Sequence, residues 1–256
     1  MKKHGKKWKR RLKIGAFLLP SLGGVSVFYL VPFLVVIVYA MVDNPIGMNF
    51  VFLENFIDVI TNKAFLLATW NTLKFSFAAV PFAVIISLLM ALLLNEKIPF
   101  AGKFRSVYLS PMMVPVASVI LVFQVLFNYN GFINAFLELF GGDKIDWFKS
   151  DFAPVVVLIL FLWKNLGYNM ILFMAALASI PKDIIEVARL ESANAWQIFF
   201  HIKMRYLSST LLFVTIMSLI SSFKVFREVY LLTGNYPYDS IYTLQHFMNN
   251  KFKRTA

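Results

Sequence analysis

Residues 14–42 contain no Asp, Glu, Lys or Arg over 29 consecutive positions. As a helix this run rises about 43 Å against a hydrocarbon core of roughly 30 Å, enough to cross a bilayer with a tilt. A signal peptide does not fit, because its apolar stretch is only about 7–15 residues. Pro20, Gly23, Gly24 and Pro32 mark bends whose freed backbone groups need packed neighbours. Further apolar runs extend from residue 70 or 75 to 94, over 107–129 with Pro111 and Pro115, over 154–178 with Lys164 inside, and over 207–232. Backbone in lipid must satisfy its own polar groups, and runs of this length do so as helices. The expected fold class is all-α: a polytopic transmembrane helical bundle with five spans. A hydrophobic content of 59%, against roughly 45–50% in soluble domains, agrees.

The formal charge is +12, and its placement gives it meaning. Fifteen Lys and Arg fall in the segments 1–13, 95–105 (Lys97, Lys103, Arg105) and 180–207, and only three in the loops 43–63 and 130–151. The positive-inside rule makes the first group cytoplasmic and so places the N-terminus inside. Residues 1–13 then read as a basic cytoplasmic N-terminal segment against anionic lipid, with a nucleic-acid arm as the remote alternative. The loop 130–151 is mainly acidic (Glu138, Asp143, Asp146, Asp151) and is assigned outside. The same alternation leaves 233–256 outside with Lys251, Lys253 and Arg254, against the rule. The expectation there is that the chain stops just before another helix. The absence of cysteine excludes a disulfide framework and thiolate chemistry.

Between the last two spans, residues 180–209 form a long polar interruption with Lys182, Asp183, Glu186, Arg189, Glu191, Lys203 and Arg205. Apolar residues still recur at helical spacing. Ile184, Ala188 and Leu190 mark one short amphipathic helix; Trp196, Phe199, Phe200 and Ile202 mark a second, with Ser192, Ala193 and Asn194 between them. Such a pair lies at the membrane surface, on lipid or on a protein. Its mixed charge argues against lipid, which favours Lys and Arg on the polar face.

This segment resembles the EAA loop of binding-protein-dependent ABC importer permeases, approximately Glu-Ala-Ala, two residues, Asp-Gly-Ala, then Ile-x-Leu-Pro. Glu186, Ala188, Ala193 and Ile202 match, as do Trp196 and Phe199 in the carbohydrate branch; Val187, Glu191, Ser192 and Arg205 depart. Where the turn needs a positive φ, Ser192 in place of Gly carries roughly 1 kcal/mol of strain. Trp163-Lys164, Gly167-Tyr168-Asn169-Met170 and Ile180-Pro181 look like the helix leading into that loop. Phe104-Arg105, Tyr108, Pro111-Met112 and Gly131-Phe132-Ile133-Asn134 look like the third span and its loop, and Phe226, Tyr230, Thr233-Gly234 and Thr243-Leu244 like the fifth span and outer segment. The resemblance runs from about Asn71 onward and is nearest the first permease subunit of maltose- and glycerol-3-phosphate-type systems.

It implies a type I ABC importer permease fold over 14–256, with five spans present of an expected six and a cytoplasmic coupling loop at 180–207. It also implies a bacterial plasma (inner) membrane and alternating access for a sugar or oligosaccharide. The implied partners are a second homologous permease subunit, a dimer of cytoplasmic ABC ATPases, an extracytoplasmic solute-binding protein and membrane lipid, without nucleic acid. Glycerol-3-phosphate or another polar solute is the alternative cargo. The chain has no GxxxxGK[ST] loop, so ATP and other cofactors are not expected on it, and it is expected not to be an enzyme.

The expected coupling residues are Glu186, Ala188, Glu191, Ser192, Ala193, Trp196, Phe199 and Ile202, with the glutamates ready for ion pairs at the rim of an ATPase groove. Polar groups within spans are candidate solute-pathway residues: Lys164, Asn165, Tyr168, Asn169, Gln124 and Asn128, with Asn71 and Thr72 behind them. Helix–helix hydrogen bonding, or snorkelling for Lys164, is the competing role. Lys224 and Glu228 are four apart and read as a simple pair. His4, His201 and His246 show no ligand spacing, and no GxSxG or HExxH occurs, against catalysis or a metal site. An ion-gradient-driven transporter would show carboxylates in its spans, and none precedes Glu228 there.

Overall fold

The computed structural model describes residues 2–44, 46–95 and 101–255; the side chains at 2–12, 101, 105 and 252–255 are outside that description. The cations Lys97, Arg105, Lys253 and Arg254, and the side chains of the basic segment up to residue 12, therefore lie outside the described residues.

The chain divides into two compact units, 1–63 and 64–256. In the first, α1 (Lys2–Val25) passes through a π-helical turn, Ser26–Leu30, into α2 (Val31–Ala40). The wider turn falls just before Pro32, which has no N–H to donate into the helix ladder. A short loop follows, tied by Asn55 Nδ2 donating to the carbonyls of Ala40 and Val42 at 3.1 and 2.8 Å. Then comes α3 (Glu54–Thr61).

The second unit is built on α4 (Lys63–Asn95) and α8 (Ala153–Ala178). Ala68, Thr72, Ser76, Ala79, Ala83, Ser87 and Ala91 form a seam of small buried residues along α4. Small side chains let helices approach closely where lipid supplies no hydrophobic drive between them. The third apolar run is not one helix. It is α5 (Ala101–Met113) and α6 (Val116–Leu126), bent by 100°. Pro115 is extended (ψ 131°), and a residue before proline is disfavoured in helix, so α5 stops at Met113. Against α5 the backbone of α8 comes so near that a Cβ on Gly167 would collide with the Tyr108 carbonyl oxygen.

After α6, a loop with α7 (Phe132–Leu139) is held by Asn134, which is fully buried. Its Nδ2 donates to the carbonyls of Tyr129 (2.9 Å) and Ile145 (2.8 Å), while its Oδ1 accepts from Ile145 N (3.2 Å) and Trp147 Nε1 (3.0 Å). Beyond α8 come α9 (Lys182–Leu190) and α10 (Ala195–Gln197), then a π-helical stretch, Ile198–Lys203, leading into α11 (Met204–Phe223). The chain finishes with α12 (Phe226–Thr233) and α13 (Leu244–Thr255).

Among the described residues four helical stretches are long and apolar enough to cross a membrane: Lys13–Ala40, Lys63–Asn95, Ala153–Ala178 and Ala195–Thr233. The bent α5–α6 pair makes a fifth when counted as one span. At one end of the second unit, Leu88, Ala91 and Leu94 pack with Phe173, Leu177, Ile180 and Leu207, and Ile185, Phe199 and Ile202 lie against them. At the other end, Ala79 and Ala83 meet Val157, Phe161, Val225, Val229 and Ile241. The 180–207 segment thus shares an end with the last turn of α4.

Candidate functional site

The 180–207 segment opens with α9, which has Asp183 in its first turn and Arg189 in its last, both favourable to the helix dipole. It ends in a Schellman turn: Ala193 N donates to Ala188 O (2.9 Å) and Ser192 N to Arg189 O (3.0 Å). That motif requires a left-handed residue, and Ser192 has φ 58°. The positive φ anticipated at this departure from Gly is present, with its strain of roughly 1 kcal/mol. Ala188 and Ala193, the positions where a small apolar contact accompanies such a turn, are both half-buried. Directly afterwards a capping box starts α10. Asn194 Oδ1 accepts from Gln197 N, and Gln197 Oε1 from Asn194 N, both at 2.8 Å.

The expected second helix is not free-standing. It runs through the π-helical stretch into α11, so Ala195–Phe223 is one continuous helical run. The apolar stripe is divided between two faces. Ile198 is buried, and Phe199 and Ile202 pack inward on the bundle. The outward face consists of Val187, Leu190 (85% exposed), Trp196 (71% exposed) and Phe200, with the Trp196 and Phe200 rings stacked at 5.8 Å. Glu186 and Glu191 are exposed beside it. Phe199 and Ile202 are thus turned toward the bundle, while Val187 and Leu190 are exposed.

The second feature is a cavity of about 470 Å³ lined by Lys164, Asn165, Ser221, Lys224, Arg227 and Glu228, with Phe161 and Gln245 at its walls. The Glu228 side chain is only 5% exposed. Its Oε1 pairs with Lys164 Nζ across the helices and lies 3.7 Å from Arg227 Nη2. The pairing of Lys224 with Glu228 expected from their spacing does not form. α11 ends at Phe223 and α12 starts at Phe226, so the two residues are not on one continuous helix face.

Of the six pathway candidates, the structure brings Lys164 and Asn165 to this cavity. Asn165 Nδ2 also donates to Phe161 O at 2.8 Å. Asn169 is buried and donates to Ser218 Oγ (3.0 Å), linking α8 to α11. Gln124 Nε2 donates to the carbonyls of Leu231 and Leu232 (3.2 and 3.1 Å), linking α6 to α12. Asn128 is an exposed turn residue whose Oδ1 accepts from Asn130 N. Tyr168 is half-buried and away from the cavity lining. Asn71 donates to Tyr242 O, and Thr72 accepts from Leu244 N, both fastening the 239–244 segment. Ser221 and the cross-helix role of Glu228 were not anticipated; a single carboxylate in an apolar run facing a single cation in another was the available signal.

The sequence profile described as "Binding-protein-dependent transport system inner membrane component" matches residues 83–250. The lactose transport system permease protein of Rhizobium radiobacter is 30% identical over 241 residues, covering 91% of this chain and 81% of its own length. The arabinooligosaccharides transport system permease protein of Bacillus subtilis (strain 168) is 28% identical over 227 residues, 86% of this chain and 71% of its own. A chain from the crystal structure of a bacterial ABC transporter involved in the import of the acidic polysaccharide alginate superposes with a TM-score of 0.81 at 19% identity, covering 99% of this chain and 88% of that one. At that identity the likeness concerns the fold.

Proposed function

The chain belongs to the family of inner membrane components of binding-protein-dependent transport systems, and from that premise we propose that it is the permease subunit of an ATP-driven importer for a sugar or oligosaccharide. It is a transport component and not an enzyme. In this reading the N-terminus and the 180–207 loop are cytoplasmic, as the Lys and Arg distribution indicates. A second homologous permease completes the pathway, a dimer of ABC ATPases docks on the loop, and an external binding protein delivers the solute. The saccharide assignment draws on the lactose and arabinooligosaccharide relatives.

The observation that carries the mechanism is the helical continuity of Ala195–Phe223. Its first residues present Trp196 and Phe200 to solvent, its later residue Ser221 lines the polar cavity, and the turn and α12 that follow bring Lys224, Arg227 and Glu228 to the same lining. Buried aromatic anchors are the usual centre of a helix-in-groove contact. A displacement of Trp196 by an ATPase passes along about 38 Å of helix to Ser221. Phe199 and Ile202, packed on the bundle, make α8 and α4 move with it. Alternating access follows: ATPase closure and opening swing the cavity between the two sides.

Glu186→Lys tests this reading. The charge reversal on the exposed rim is expected to abolish ATPase association and ATP-dependent uptake while the protein stays in the membrane. Normal uptake by that variant would reject docking through this loop.

A further inference from the structure

We infer that the cavity between α8, α11 and α12 recognises an oxyanion borne on a hydroxylated solute, a uronate carboxylate or a sugar phosphate, in preference to a neutral saccharide. This rests on the transport reading above and narrows its solute.

The charges lining the cavity do not balance. Lys164, Lys224 and Arg227 contribute three cations against the one carboxylate of Glu228. Lys164 saturates one oxygen of that carboxylate and Arg227 stands 3.7 Å from the same oxygen. Among the described residues Lys224 has no ion-pair partner. Lys224 and Arg227 are exposed, so their charge is open to a solute. Positive charge in excess of one carboxylate favours an anion over a neutral molecule there. The hydroxyls of a neutral sugar offer dipoles only, whereas a carboxylate or phosphate accepts charge-assisted hydrogen bonds from the Arg227 fork and the Lys224 ammonium.

The second oxygen of Glu228, Oε2, is buried without a hydrogen-bond partner among the described residues and presents no surface to a solute. The site thus fits a molecule with an anionic group at the Lys224–Arg227 side. At about 470 Å³ the cavity falls within the usual range for small-molecule sites.

The test is calorimetric binding to the purified membrane complex, with the binding protein omitted so that its own selectivity does not enter. The probes are trigalacturonate, glucose 6-phosphate and maltotriose at low ionic strength. One of the two anions is expected to bind at least about tenfold tighter than maltotriose, and which one distinguishes carboxylate from phosphate. Lys224→Gln combined with Arg227→Gln is expected to erase that preference, with monodisperse elution of the variant complex verifying that it is folded. Maltotriose binding as tightly as both anions, a preference that survives the double substitution, or no binding of either anion would overturn the inference. None of these results touches the transport reading, which the Glu186→Lys uptake assay decides separately.

Discussion

Replacing Lys164 with Met leaves the Glu228 carboxylate with Arg227 at 3.7 Å as its remaining ion pair. The Glu228 side chain is 5% exposed, so the lost charge is not replaced by water. Breaking a buried pair by removing one partner costs about 3–5 kcal/mol. Lys164 is itself 36% exposed and Arg227 persists, which puts this case at the lower bound, about 3 kcal/mol. For a unit of this size each kcal/mol moves the midpoint by about 2–4 °C, so thermal unfolding in detergent should fall by about 6–12 °C. Lys164→Met together with Glu228→Met should recover most of the loss, because no unpaired charge remains. Lys224→Met should leave the midpoint within about 2 °C of wild type, as expected for an exposed residue outside the pair. A neutral Lys164→Met, or a Lys224→Met as damaging as Lys164→Met, would refute the cross-helix pairing and restore the local one suggested by spacing.

Ser192→Gly relieves the left-handed strain, partly offset by glycine's larger unfolded-state entropy, for a net gain of up to about 1 kcal/mol; Ser192→Val should lose at least as much, and amide exchange at 192–193 reads both. Gly167→Ala places a methyl against the Tyr108 carbonyl and forces α5 from α8, so folded yield and thermal midpoint should drop by the equivalent of about 3 kcal/mol. His246, in α13, is fully buried; Thr243 N–H donates to its Nδ1, the Thr243 hydroxyl lies 2.9 Å from the same nitrogen, and burial pushes its pKa down from 6.5 to about 4. Because the folded pKa is below the unfolded one, the neutral ring's contribution is complete above about pH 6.5 and is lost as pH falls toward 4, by up to about 3 kcal/mol. Exchange protection over 234–250 should follow that slope, and His246→Asn should flatten it.

Helix positions were legible because length and apolarity suffice to place them, as residues 14–42 and 154–178 show. The break in the third span was not. Pro81 and Pro111 lie inside continuous helices while Pro115 ends one, and only packing decides which proline a helix absorbs. The turn at Ser192 was readable from local chemistry: a left-handed position, a Schellman pattern and an Asn–Gln capping box all lie within a few residues. The continuity of the second lever helix with α11 was hidden by Lys203 and Arg205, which resemble a helix end although the chain runs through them helically. Asn169 and Gln124 each bond a neighbouring helix, a partnership between distant segments that spacing within one helix does not reveal. The same holds for Lys164 and Glu228.

The chain has no cysteine, so a single Leu190→Cys introduces a unique handle on the outward face of the lever. Photocrosslinking from that position in native membranes, with a maleimide carrying a benzophenone arm that inserts into neighbouring C–H bonds, tests the central claim most directly. The account predicts a product containing the ATP-hydrolysing subunit, formed only after the inner membrane is permeabilised to the reagent. A handle that reacts from the outer side of an intact membrane, or that captures phospholipid alone in an assembled complex, would contradict it.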